Sequence, residues 1–123
     1  MLTMRNQQLK ALQAVATEQF VARLARTFRT EQPGLVAAYA EPELQQQLRQ
    51  AVERAQSYGL VAEKDAFVFA TVWLLYGTDF DQDPQHAWAR EICKDQALTS
   101  RAKAMQLREA ARKRSADGGE NNG

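Results

Sequence analysis

A nearly continuous apolar run, Ala66–Tyr76, limits what this 123-residue chain can fold into more than any other feature. The run is apolar on every side of a helix, so the rest of the chain has to bury it. Its β-branched and aromatic residues would also suit a buried strand, but eleven residues are long for a strand and the sequence offers no second strand to pair with it. The run is too short to cross a bilayer, which takes about 20 residues. We therefore predict a buried helix at the centre of the fold.

Helical periodicity predicts four more helices around this central one. Apolar residues recur at steps of three or four along the early part of the chain, while Pro42 suits the first turn of a helix and Gly59 suits the end of one. The predicted helices span about 5–31, 42–58, 63–76, 85–94 and 99–114. The sequence thus predicts an all-α protein, a single compact bundle of about five helices in a domain of residues 1–114. Residues 115–123 hold three glycines and no large apolar residue, which predicts a disordered tail.

The overall charge and the cysteine content point to no particular ligand. The formal net charge is +1, so no overall field selects nucleic acid or a membrane surface. Cys93 is the only cysteine and cannot form an internal disulfide, which favours a reducing compartment. The first residues do not form a basic stretch followed by an apolar core, so we expect no secretory signal and a cytoplasmic location.

The loop after the apolar run carries three acids at alternating positions: Asp79, Asp81 and Asp83. This spacing is typical of the first ligands of a calcium-binding loop. The rest of that motif fails, because Pro84 stands where a glycine is needed and Arg90 where a bidentate glutamate is needed. An alternative is that Asp83 caps the next helix while Phe80 anchors the loop in the core. We expect no calcium site.

No combination of residues predicts catalysis, a metal or a cofactor. His86 is the only histidine, and no nucleophile motif accompanies it. Cys93 lies two helical turns further on, roughly 10 Å along the axis, which is too far for a hydrogen bond. One histidine and one cysteine do not make a four-ligand zinc site. We expect His86 at the surface, Cys93 in the core and no enzymatic activity.

The last predicted helix is strongly basic, with one glutamate, Glu109, against six cations: Arg101, Lys103, Arg108, Arg112, Lys113 and Arg114. Such a cluster can bind nucleic acid or an anionic protein. It can also simply follow the helix dipole, and no aromatic residue interleaves with it as single-strand binding would require. We predict the main partner contact at the acidic loop and at the tryptophan of the following helix: Asp79, Asp81, Asp83 and Trp88. A second, salt-sensitive contact is expected at Arg108, Arg112 and Lys113.

Several stretches resemble small helical proteins that are encoded beside type VI secretion spike, PAAR-type and effector genes of Gram-negative bacteria. The resemblance covers roughly residues 5–112. It rests on the following residues: Phe20, Phe28, Pro33, Ala55, Tyr58, Gly59, Glu63, Asp65, Gly77, Asp79, Phe80 and Asp81, and most specifically Pro84, His86, Trp88, Ala89, Ile92 and Asp95, closed by a basic helix. The chain departs from the pattern at Cys93, where leucine is expected.

The resemblance implies an accessory role without catalysis. It suggests a cytoplasmic adaptor or co-chaperone that holds an effector, a spike-tip protein or an effector chaperone before export. An immunity protein that blocks a toxin is the first alternative, since an acidic loop could face a basic active site. A nucleic-acid-binding regulator that uses residues 101–114 is the second. An enzyme is the least supported class, because the usual catalytic patterns are missing.

Overall fold

The computed structural model describes the backbone of residues 2–122 and the side chains of residues 17–114. Within that range the chain is all-α, as predicted, with six α-helices and one 3₁₀ turn. The helices are α1 (Leu2–Glu31), α2 (Pro33–Val36), α3 (Glu41–Ser57), α4 (Glu63–Tyr76), α5 (Ala87–Lys94) and α6 (Ser100–Asn122). The 3₁₀ turn, Pro84–His86, leads directly into α5. The backbone groups into two compact units, Met1–Gln50 and Ala51–Gly123, and α3 contributes to both.

Ion pairs tie the elements of the first unit together. Arg29, near the end of α1, donates to the carbonyl oxygens of Val36 at 3.0 Å and Tyr39 at 2.7 Å. The same guanidinium pairs with Glu41 at the start of α3. These contacts satisfy carbonyl groups of the turn that follows α2, which a helix end leaves without intrahelical partners. They also hold the connection between the end of α1 at Glu31 and the start of α3 in one conformation.

The second unit is built on α4 and α6, which run in the same direction. The Ser100 hydroxyl donates to Asp65 Oδ2 at 2.6 Å near the start of both helices, and the Tyr76 hydroxyl donates to the Ala111 carbonyl at 3.3 Å near the end of α4. The core holds Phe69, whose ring centroid lies 5.1 Å from that of Phe80. Trp73 is 2% exposed, which confirms that the apolar run supplies the core.

The end of α3 is fixed by backbone and side-chain hydrogen bonds. The N–H of Gly59 donates to the Gln56 carbonyl and the N–H of Leu60 to the Ala55 carbonyl, the pattern of a Schellman motif. Gly59 has φ = +86°, a conformation that glycine adopts without penalty, so the predicted cap is confirmed. Lys103 of α6 donates from Nζ to the Tyr58 carbonyl at 2.8 Å and is itself buried.

The helices differ from the predicted ones in four places: α1 begins at Leu2 rather than near residue 5, the short α2 is additional to the five predicted helices, and α5 and α6 have other bounds. The predicted helix 85–94 begins as a 3₁₀ turn over Pro84–His86 and becomes α-helical only at Ala87. Helix α6 continues past residue 114 to Asn122, into the segment for which the sequence predicts disorder. The side chains of residues 115–123 lie outside the described part of the chain, so the disordered tail stays a prediction.

Candidate functional site

The acidic loop turns one of its three aspartates into the core. Asp81 is 0% exposed, although it lies in a loop between two helices. Its carboxylate accepts two hydrogen bonds from Arg54 Nη1, at 2.7 and 2.9 Å, and one from the Tyr58 hydroxyl at 2.5 Å. A buried charge is costly unless it is paired and hydrogen-bonded, and both conditions hold here. Asp81 therefore joins its loop to the end of α3.

Two proton donors next to Asp81 are strongly held in their neutral form. Burial raises the pKa of Tyr58 to about 12, and its hydrogen bond to Asp81 adds to the effect. Burial also raises the pKa of the Cys93 thiol to about 12, with a further increase from the negative charge of Asp81. Cys93 is buried, as the sequence predicts. A neutral, buried thiol is a poor nucleophile, so this cluster has the chemistry of a structural core.

The burial of Asp81 corrects its predicted role as a residue that contacts a partner. The alternation of charges along the sequence suggests three exposed carboxylates, but the loop follows Phe80 inward and takes Asp81 with it. Asp79 remains 71% exposed and lies 3.5 Å from Arg54. Asp83 accepts a hydrogen bond from the Gln85 N–H and caps the 3₁₀ turn. The alternative interpretation of this loop, a cap at Asp83 and a core anchor at Phe80, is thus confirmed.

Trp88 packs against the rings of Tyr76 and His86 and against the guanidinium of Arg114. The rings of Tyr76 and Trp88 meet edge to face at 5.6 Å, and those of Tyr76 and His86 at 5.1 Å. The Arg114 guanidinium covers the Trp88 ring at 4.6 Å from its centroid. Trp88 is therefore half-buried and already engaged by a cation of its own chain, which leaves less of its surface for a partner.

The basic residues of α6 fall into three groups: two that are used within the fold, two that lie beside an acid, and two that have no ion pair among the described side chains. Lys103 and Arg114 are used within the fold, as described above. Arg101 lies 3.5 Å from the buried Asp65, and Arg112 pairs with Glu109 at 2.5 Å on the helix surface. Arg108 and Lys113 are exposed and form no ion pair within the described side chains. The predicted secondary surface, Arg108, Arg112 and Lys113, is thus solvent-exposed.

The residues that sequence reasoning missed lie on the outward side of α4 and α6. Leu75 is 53% exposed, although it belongs to the apolar run that was expected in the core, and Met105 of α6 is 57% exposed. A groove of about 220 Å³ passes Met105, with Val68 and Ala104 on its apolar side and four charged residues along it: Arg101, Arg108, Glu109 and Arg112. We call this region, formed by the residues just named, the α4/α6 groove. Leu75 lies outside this lining, two turns beyond Val68 on the same face of α4. The available clue was that α4 is apolar all round, so that any uncovered face of it exposes apolar side chains.

Comparison with known proteins does not identify this site. No family model, no curated protein and no solved structure matches the chain. Among the described residues, His, Cys, Asp and Glu side chains nowhere gather in groups of three or more that could hold a metal ion. Across the same residues, none of the helices has both the length and the apolar character needed to cross a bilayer.

Proposed function

We propose that this chain is a non-enzymatic protein-binding accessory for a type VI secretion effector, a spike-tip protein or an effector chaperone. In this role it acts in the bacterial cytoplasm as an adaptor or co-chaperone that holds its partner before export. The secretion setting comes from the resemblance carried by Pro84, His86, Trp88 and the residues around them. The protein-binding role is supported by the α4/α6 groove, where Met105 is more than half exposed, and by Leu75, which is exposed two turns beyond Val68 on the same face of α4.

Exposed apolar side chains grouped on adjacent helices are typical of protein interaction sites. Single exposed apolar residues are common on any surface, but a group beside charged residues marks a binding face more often. Val61 provides the contrast, because it is 70% exposed but lies in the connection between α3 and α4, outside both helices. Methionine suits such a face, since its flexible side chain adapts to different partners.

The proposal is tested by co-expressing the chain with the products of its neighbouring genes. We expect it to co-purify with one of them and to increase the soluble yield of that partner. Leu75→Ser combined with Met105→Asp should abolish co-purification, and Val61→Ser, the matched control, should leave it unchanged. If none of the neighbouring products co-purifies with the parent chain, the proposed function is wrong. If the chain instead suppresses the toxicity of a neighbouring effector, it is an immunity protein.

A further inference from the structure

The geometry of the α4/α6 groove suits one kind of partner segment. Val68 and Leu75 lie seven residues apart on α4, which is two turns and roughly 10 Å along one face. Met105 of α6 lies beside Val68 in the groove. Three apolar contacts over two turns match the i, i+3 or i+4, and i+7 side chains of an amphipathic helix laid into a groove.

The charges at the groove restrict the partner further. Three arginines, Arg101, Arg108 and Arg112, border the groove against one glutamate, Glu109, and Arg101 also lies 3.5 Å from the buried Asp65. Arg108 has no ion pair among the described side chains, and Arg112 is 69% exposed and pairs with Glu109 on the helix surface, so both can reach a carboxylate of another protein. Arginine is well suited to such contacts because its planar guanidinium can bind a carboxylate through two hydrogen bonds.

We propose that the α4/α6 groove binds an acidic amphipathic helix of the partner protein. The helix would place its apolar face on Val68, Met105 and the neighbouring Leu75, and its carboxylates on Arg108 and Arg112. This inference rests on the proposed function and names the chemistry of the partner. A second copy of the chain fits less well, because the same three arginines would face each other. Nucleic acid also fits less well, because the apolar side of the groove has no ring on which a base could stack.

The test uses two synthetic helical peptides that share leucines at i, i+4 and i+7. One carries glutamates on both flanks of the leucine face, and its twin carries lysines at the same positions. Binding to the whole chain is measured by fluorescence anisotropy, and a mixed-sequence single-stranded DNA serves as a third probe. We expect the acidic peptide to bind at least about tenfold more tightly than the lysine twin. The preference should decrease as salt is added, because the arginines are exposed.

Variants then assign the binding to the groove. Met105→Asp should abolish binding of the acidic peptide, and Arg108→Gln with Arg112→Gln should weaken it about tenfold, because the double variant removes two exposed charge pairs with the peptide. Arg90→Gln, on the exposed side of α5, is the matched control and should have no effect. Circular dichroism melts verify that each variant remains folded.

Several results would overturn the inference. They are equal affinity for the two peptides, no binding of the acidic peptide up to about 1 mM, or an acidic peptide that binds the arginine variants as well as the parent. Stronger binding of the DNA, or a dimer in sedimentation that Met105→Asp dissolves, would assign the groove to another occupant. If the chain captures a neighbouring gene product while the peptides fail, only the groove inference is wrong. If the peptides bind as expected but no neighbouring product is captured, only the secretion role is wrong.

Discussion

The acidic loop at residues 78–84 and the basic helix α6 are both dense in charge, yet the protein uses them in opposite ways. In the loop, the central acid, Asp81, is fully buried and holds the end of α3 through Arg54 and Tyr58. In α6, most of the cations remain exposed around Met105. The loop therefore mainly stabilises the fold, whereas α6 combines a buried face with a surface that is available to a partner.

Backbone geometry explains why similar charge density leads to different outcomes. Helix α6 separates its residues by the 3.6-residue period, so Ala104, Leu107 and Ala111 are buried while the arginines point outward. The loop has no such period, and the anchoring of Phe80 in the core determines which neighbouring acid goes inward with it. A run of charges in a loop is therefore a weaker indication of a surface site than the same run on a helix.

The largest expected effect separates the buried acid of the loop, Asp81, from the exposed Asp79. Asp81→Ala should lower the free energy of unfolding by about 3 kcal/mol, because it removes the buried carboxylate that accepts from Arg54 and Tyr58 and leaves Arg54 only the exposed Asp79 at 3.5 Å. Asp79→Ala, the control in the same loop, should change stability by less than about 0.5 kcal/mol because Asp79 is exposed. Urea denaturation of both variants measures the difference. Equal effects of the two substitutions would show that Asp81 does not anchor the loop.

A smaller effect should distinguish the buried Lys103 of α6 from the exposed Lys113 of the same helix. Lys103→Met should cost about 1.5 kcal/mol, because it removes a charge-assisted hydrogen bond to the Tyr58 carbonyl while keeping most of the side-chain volume. Lys113→Met, on the exposed side of the same helix, should change stability by less than about 0.5 kcal/mol. Thermal melts of both variants compare them directly. If Lys103→Met leaves stability unchanged, the lysine does not contribute to capping α3.

The thiol beside the acidic loop predicts a loss of stability at alkaline pH. Folding raises the pKa of Cys93 from 9.0 to about 12. The stability that the neutral thiol contributes to the fold is therefore complete below about pH 9 and is lost as the pH rises toward 12. In this window the unfolded chain binds fewer protons than the folded chain, and the unfolding free energy therefore decreases with pH. Between about pH 8 and pH 10 the parent should lose roughly 1.4 kcal/mol more than Cys93→Ala. If the free energy of unfolding decreases with pH equally steeply in the parent and in Cys93→Ala, this coupling is excluded.

The sequence predicted the fold better than the site. The apolar run, Pro42 and Gly59 determine local structure directly, so the positions of α3 and α4 could be predicted to within one residue. The direction of Asp81 could not be predicted, because it depends on Arg54 and Tyr58, which lie more than 20 residues earlier in the chain. The exposure of Leu75 and Met105 was missed for a related reason. Apolar periodicity identifies a helix face but does not show whether another element covers it.

The central claim is that the exposed face of α6, and not the acidic loop, contacts the partner. Isothermal titration of the captured partner with two matched double variants tests it most directly. Arg108→Gln with Arg112→Gln should raise Kd about tenfold, whereas Asp79→Asn with Asp83→Asn should change it by less than about twofold. The opposite order, with the loop variant weakened and the α6 variant unaffected, would contradict the account and return the binding site to the acidic loop.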